Sequence, residues 1–155
     1  MSHLQPYKNF PALIEGFASA RTEFDNRQTQ LVLAGVASSD GYLKYLRELI
    51  ARHGVEDSIL LTGGVPHQTI GTLLKNCQSF VFQSTCENCP NALIEALSAG
   101  VPIACSNVGV MPEIAGDAAL YFDPYDPRDI SRALKRINAD PVLRDSLRAK
   151  SQTES

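Results

Sequence analysis

Short apolar blocks alternate along the chain with longer stretches in which apolar positions recur every three or four residues. Residues 31–35, 59–62, 79–83, 102–105 and 119–122 are the short blocks. Each predicts a strand apolar on both faces, as in a parallel sheet covered by helices. The longer stretches predict helices. Over residues 10–24, Leu13, Ile14, Phe17, Ala18 and Ala20 mark one face, and Pro11 suits the first turn. Over 41–53, Tyr42, Leu43, Leu46, Leu49 and Ile50 repeat at three and four, with Ser39 or Asp40 to cap the start and Gly54 to end the helix. Residues 66–76, 91–99, 127–138 and 141–150 predict four more helices.

Strand and helix in alternation predict an α/β doubly wound, Rossmann-like parallel sheet with right-handed crossovers. Such a sheet normally opens with a full central strand. Residues 1–4 stand in its place and read as the end of a strand cut short. Ligands of this fold class bind at the carboxyl ends of the strands. The loops at 5–9, 35–41, 63–67, 84–91 and 106–112 are therefore the ones that matter for chemistry.

Composition narrows the function classes. A chain of 155 residues fits a single domain, and 44% hydrophobic with 20% charged residues is a globular mixture. The net charge of −3 argues against a nucleic-acid partner held by a basic surface. No apolar run is long enough to cross a bilayer, and the first ten residues carry no leader pattern, so a cytoplasmic setting is expected. Four cysteines in a chain able to fold without cross-links suit a reducing compartment. Cys86 and Cys89 have the spacing of half a zinc site or a redox pair. Cys77 and Cys105 do not supply a second close pair, so no metal is expected and ordinary thiols are the simpler reading.

The segment 84–100, Ser-Thr-Cys-Glu-Asn-Cys-Pro-Asn-Ala-Leu-Ile-Glu-Ala-Leu-Ser-Ala-Gly, joins a strand to a helix that is apolar almost all round. That helix is expected to be buried, with Glu95 in its middle and Asn91 one turn earlier on the same face. A buried carboxylate needs a partner. Glu87 lies in the loop before the helix, whose free N–H groups can hold an anion. One pocket could then take phosphates on the amides, sugar hydroxyls on Glu87 and ribose hydroxyls on Glu95. The competing reading pairs Glu95 with a nearby Arg or Lys and leaves Glu87 exposed. Lys8, in the loop after the first strand, could neutralise a diphosphate or be a solvated surface lysine.

These residues resemble the carboxyl-terminal domain of GT-B glycosyltransferases, specifically glycosyltransferase family 4 (group 1), over nearly the whole chain. The pattern is a glutamate, seven residues and a second glutamate, here Glu87 and Glu95, followed by a small-Gly turn. Residues 4–17 look like the family's lysine-containing loop and first helix, 31–35 like its glycine-ended strand, 59–65 like its base-side strand and loop, and 111–124 like its Pro-Glu to Phe-Asp-Pro segment.

The resemblance implies a donor-binding domain over 1–155 and an amino-terminal acceptor domain that this chain lacks. It implies a diphosphate contact for Lys8 and a catalytic, sugar-binding role for Glu87. Phosphate would rest on the amides around Asn91 and Ala92, and the ribose on Glu95. Val65 would lie against the base, with His67 close by. The implied reaction moves a sugar from a UDP- or GDP-sugar to a glycan or lipid acceptor, with retained anomeric configuration and no cofactor or metal. The full enzyme would be cytoplasmic or peripheral at the inner membrane face. Two positions depart from the common pattern: His3 where many members have arginine, and Asn88-Cys89-Pro90 in place of Gly-Phe-Gly. A non-catalytic nucleotide or sugar-phosphate module is the alternative. The dinucleotide and P-loop glycine fingerprints are both absent.

Overall fold

The computed structural model describes residues 3–24 and 28–151. The expected strand at 1–4 is seen as β1 (His3–Leu4); its first two positions lie outside the described residues. Then follow α1 (Phe10–Arg21), β2 (Leu31–Ala34), β3 (Val36–Ala37), α2 (Asp40–Arg52), β4 (Ile59–Gly63) and α3 (His67–Asn76). The second half holds β5 (Phe80–Phe82), α4 (Asn91–Ser98), β6 (Ile103–Ser106), α5 (Met111–Ala115), β7 (Ala119–Phe122), α6 (Pro127–Ala139) and α7 (Pro141–Ser151).

Every strand ladder is parallel: β1 with β3, β2 with β4, and β5–β6–β7 in a row. Strands β2 and β3 are one run interrupted at Gly35. Its φ of 148° lets the chain leave β4 and take up β1 as its neighbour. The fold is the doubly wound α/β sheet that the alternation predicts, with all six expected strands, the shortened first one included, and all six expected helices present. The sequence pattern did not show β3, which has two residues, or α5, which has five; neither length gives a period to read.

Two buried clusters hold the layers. One joins α1, α2 and α6 to β2 and β4 through Leu13, Ile14, Leu33, Leu46, Ile50, Ile59 and Ile130. The other joins α4 and α5 to β5, β6 and β7 through Leu93, Ala96, Ile103, Cys105 and Met111. Helices α1 and α6 approach closely at Gly16, where a Cβ would meet Ile130 Cγ2 at 2.8 Å and the Pro127 carbonyl at 2.9 Å. Helix α1 ends at Arg21, short of the expected Phe24. That ring is still buried, edge-on to Phe17 at 5.8 Å.

Two burial expectations are corrected. The strands are not all covered on both faces: the register partners Val32 and Leu60 are 39% and 51% exposed. Helix α3, after β4, buries only Leu74. Helix α4 is not buried all round either. It seats Leu93, Ala96 and Leu97 in the core, while Asn91 is exposed and Ile94 is 40% exposed. Its apolar composition reads as burial, but its packing is one-sided.

Candidate functional site

A single turn of 3-10 helix, Pro6–Lys8, follows β1 and carries Lys8 over the carboxyl end of the sheet. Lys8 Nζ lies 3.4 Å from Glu87 Oε1, with side chains only 16% and 11% exposed. The ammonium is also 5.8 Å from the Phe82 ring centroid and 5.9 Å from that of Tyr7, within cation–π range. Lys8 is therefore not a solvated surface lysine, and Glu87 is not an exposed loop carboxylate. At 3.4 Å the pair is coulombic rather than hydrogen-bonded, and Glu87 Oε1 is buried without a hydrogen-bond partner. An acceptor kept from water in this way has lone pairs to offer a ligand hydroxyl.

The two loops are fastened to each other. Thr85 donates both its N–H, at 3.0 Å, and its hydroxyl, at 2.7 Å, to the Tyr7 carbonyl. The buried Ser106 hydroxyl donates to the Ser84 carbonyl at 2.7 Å. Burial, then the Glu87 charge, then Cys86 push the Tyr7 phenol above its ordinary pKa. Together these contacts fix one cation and one carboxylate side by side. A ligand diphosphate could compete with Glu87 for the ammonium, leaving the carboxylate to a neighbouring hydroxyl.

Helix α4 begins at Asn91, directly after this pair. Of the two amides expected to bind phosphate, that of Asn91 is already used: it donates to the Cys89 carbonyl at 2.9 Å. Leu93 and Ile94 both donate to the Pro90 carbonyl, at 2.8 and 3.1 Å. Among the described residues, this leaves the Ala92 N–H without a backbone partner in that turn. Pro90 makes the geometry by closing a tight turn at φ −80° and ψ 70°.

Glu95 is also not where its apolar neighbours suggest. Its side chain is 41% exposed, and its partner is His67 rather than an arginine, a lysine or Asn91. His67 Nε2 lies 3.5 Å from Glu95 Oε1 and is itself 80% exposed. His67 is the first residue of α3, after the half-buried Val65 and the Pro66 turn. The contact thus joins the base-side loop to α4. The structure brings the candidates together as two pairs, Lys8 with Glu87 and His67 with Glu95, linked by α4. His3 is exposed on β1.

Sequence reasoning missed Tyr7, Phe82, Thr85 and Asn9. Asn9 had a readable signal, since asparagine is among the few L-residues that adopt the left-handed conformation it takes in this turn. Cys86 and Cys89 are exposed and Cys77 is partly buried. Cys105 is buried, and its thiol is pushed up to about 12 by that burial. Among the described residues no three His, Cys, Asp or Glu side chains group as metal ligands, and no helix is long and apolar enough to cross a membrane. A cavity of ≈ 460 Å³, lined by Arg21, Gln28, Gln30, Asp57 and Ser58, opens at the opposite, amino end of β2 and β4.

Known proteins carry the same architecture. Anabaena HepE, solved in complex with UDP and glucose, superimposes with a TM-score of 0.87 at 22% identity, over 99% of this chain and 41% of HepE. The carboxyl-terminal domain of a glycosyl transferase group 1 protein from Francisella tularensis gives a TM-score of 0.87 at 18% identity, over 99% of this chain and 80% of that one. By sequence, the O-antigen chain mannosyltransferase B of Escherichia coli is 32% identical over 142 residues, 92% of this chain. The chain spans only 36% of that enzyme's length. The family described as "Glycosyl transferases group 1" matches residues 1–154. With the sheet, the paired glutamates and the lysine loop in place, the chain belongs to the glycosyl transferases group 1 family.

Proposed function

We propose that this chain is the donor half of a retaining glycosyltransferase, with residues 1–155 binding a UDP- or GDP-sugar. The observation that carries this reading is the nearly buried Lys8–Glu87 pair set beside the amino end of α4. A relative named as a mannosyltransferase and a fold neighbour solved with UDP and glucose support a nucleotide-sugar substrate.

In this reading Lys8 meets the diphosphate and stabilises the charge that grows on it as the sugar leaves. Glu87 is the catalytic carboxylate and accepts hydroxyls of the donor sugar near the reacting carbon. The Ala92 N–H, at the positive end of α4, takes the distal phosphate, with Asn91 next to it. Glu95 accepts the ribose hydroxyls, and Val65 with His67 borders the base. No metal or cofactor takes part. An amino-terminal domain of the same enzyme would close the cleft and hold a glycan or lipid acceptor, in the cytoplasm or at the inner face of the membrane.

Calorimetric titration with UDP, GDP and ADP, with NAD as control, tests the reading. Binding of one nucleoside diphosphate, lost in Lys8→Met, is the expected result. Binding of NAD alone, or of no nucleoside diphosphate, would favour the non-catalytic module instead.

A further inference from the structure

Asn9 is the only non-glycine residue with a positive φ among the described residues, at φ 51° and ψ 43°. A non-glycine residue in this conformation costs free energy, least for asparagine, and keeps it only where its surroundings over-determine it. Asn9 sits at a joint. Its N–H donates to the Pro6 carbonyl at 3.0 Å and closes the turn that holds Lys8, while its own carbonyl accepts from Leu13 N at 3.4 Å and opens α1. Helix α1 is packed closely against α6 at Gly16 and Ile130, which holds the far side of the joint in place. The side chain is committed too. Asn9 Nδ2 donates to the Pro124 carbonyl at 2.6 Å, in the loop between β7 and α6, 115 residues away. The neighbouring Tyr7 carbonyl is held from the other side by Thr85, two residues before Glu87.

We infer that Asn9 is a positioning residue for Lys8: its left-handed backbone and its tether to Pro124 aim the lysine at Glu87 and at the diphosphate of the donor. The inference rests on the proposed donor site. A cap that only started α1 would need neither the long-range tether nor the left-handed turn, since cap residues ordinarily have extended backbone. Lys8 is 16% exposed between two aromatic rings and a carboxylate, so a small change in its backbone direction moves the ammonium out of a narrow slot. Preorganised charge of this kind acts on a phosphate only when its placement is fixed.

The test compares nucleoside diphosphates with the matching monophosphates, because Lys8 is proposed to act on the diphosphate and not on the base. UDP, GDP and ADP are titrated against UMP, GMP and AMP, and the ratio of dissociation constants is the readout. Loss of fold or of base contacts does not alter this ratio in the protein that remains folded. The ratio is expected to fall roughly tenfold in Asn9→Ala, which loses both the backbone preference and the tether. In Asn9→Gly, which keeps the left-handed turn but loses the tether to Pro124, it is expected to fall about threefold. Monophosphate affinity stays at the parent value in both. If Asn9→Gly and any folded Asn9→Ala keep the parent ratio, the inference is overturned, and a lowered melt beside it makes Asn9 a helix cap only. A parent chain with no preference for diphosphate overturns the donor site itself and the role of Asn9 with it. That failure is seen before any substitution is made, so the two are distinct.

Discussion

Lys8 and Glu87 are opposite charges held close together with little water around them, which is costly unless a ligand or a network uses them. Glu95 is different, because it is 41% exposed and meets only an exposed histidine. Removing its charge should therefore disturb the fold very little. If it accepts ribose hydroxyls, Glu95→Gln should weaken nucleoside diphosphate binding by about tenfold, or about 1.4 kcal/mol, with the melting temperature nearly unchanged. A lowered melt beside unchanged affinity would return Glu95 to a structural role. The thiols give a second check at this scale. In the native chain an aromatic disulfide reagent should label Cys86 and Cys89 quickly. Cys105, buried and raised to about 12, should react only on unfolding. Fast labelling of Cys105 would contradict the packing around β6.

Helices α1 and α6 show how tightly the elements are matched. Gly16→Ala puts a methyl group against Ile130 and the Pro127 carbonyl and should cost about 1–3 kcal/mol, lowering the melting temperature on the order of 5 °C. A melt equal to the parent's would mean that α1 slides freely. The start of α6 carries a pH dependence. Asp129 accepts Arg132 Nε at 2.6 Å and Asp123 N at 2.8 Å, and its carboxyl is held below the ordinary 3.8, first by the Arg132 hydrogen bond. A depressed carboxylate adds stability above its unfolded pKa and loses it as pH falls through the folded one. Asp129→Asn should therefore melt lower than the parent at pH 7, by the equivalent of about 0.5–1 kcal/mol for a partly exposed pair, and the gap should close as pH falls through the lowered folded pKa of the carboxyl. A gap that persists in acid would assign the loss to something other than the charge.

Much of this architecture was legible in the sequence because its elements announce themselves locally. The run Leu31–Ala34 and the capped helix Asp40–Arg52, where Ser39 Oγ accepts from Tyr42 N, need no distant information. Lys8, Glu87 and Glu95 could be picked out as candidates for the same reason: each is a charged residue at a strand end or in an apolar helix. Their partners were not legible. Lys8 meets Glu87 across 79 positions and His67 meets Glu95 across 28, and no local period encodes either pairing. The burial of α4 was misread because composition cannot say which side of a helix finds a neighbour.

At the scale of the whole molecule, the candidate residues gather in the loops after the strands, and the chain spans 36% of the mannosyltransferase it resembles. In the proposed reading transfer occurs in a cleft with a second domain, so the 155-residue chain should bind donor but transfer no sugar. Detectable transfer to an acceptor by this chain alone would refute the divided cleft. The central claim, that the donor sits at the carboxyl end of the sheet, is tested most directly by mapping amide chemical shifts while UDP- or GDP-sugar is added. The account predicts shifts grouped at Lys8, Asn9, Glu87, Ala92 and Glu95, with His67 among them. Shifts grouped instead around Arg21, Gln30, Asp57 and Ser58, at the cavity on the opposite end, would contradict it.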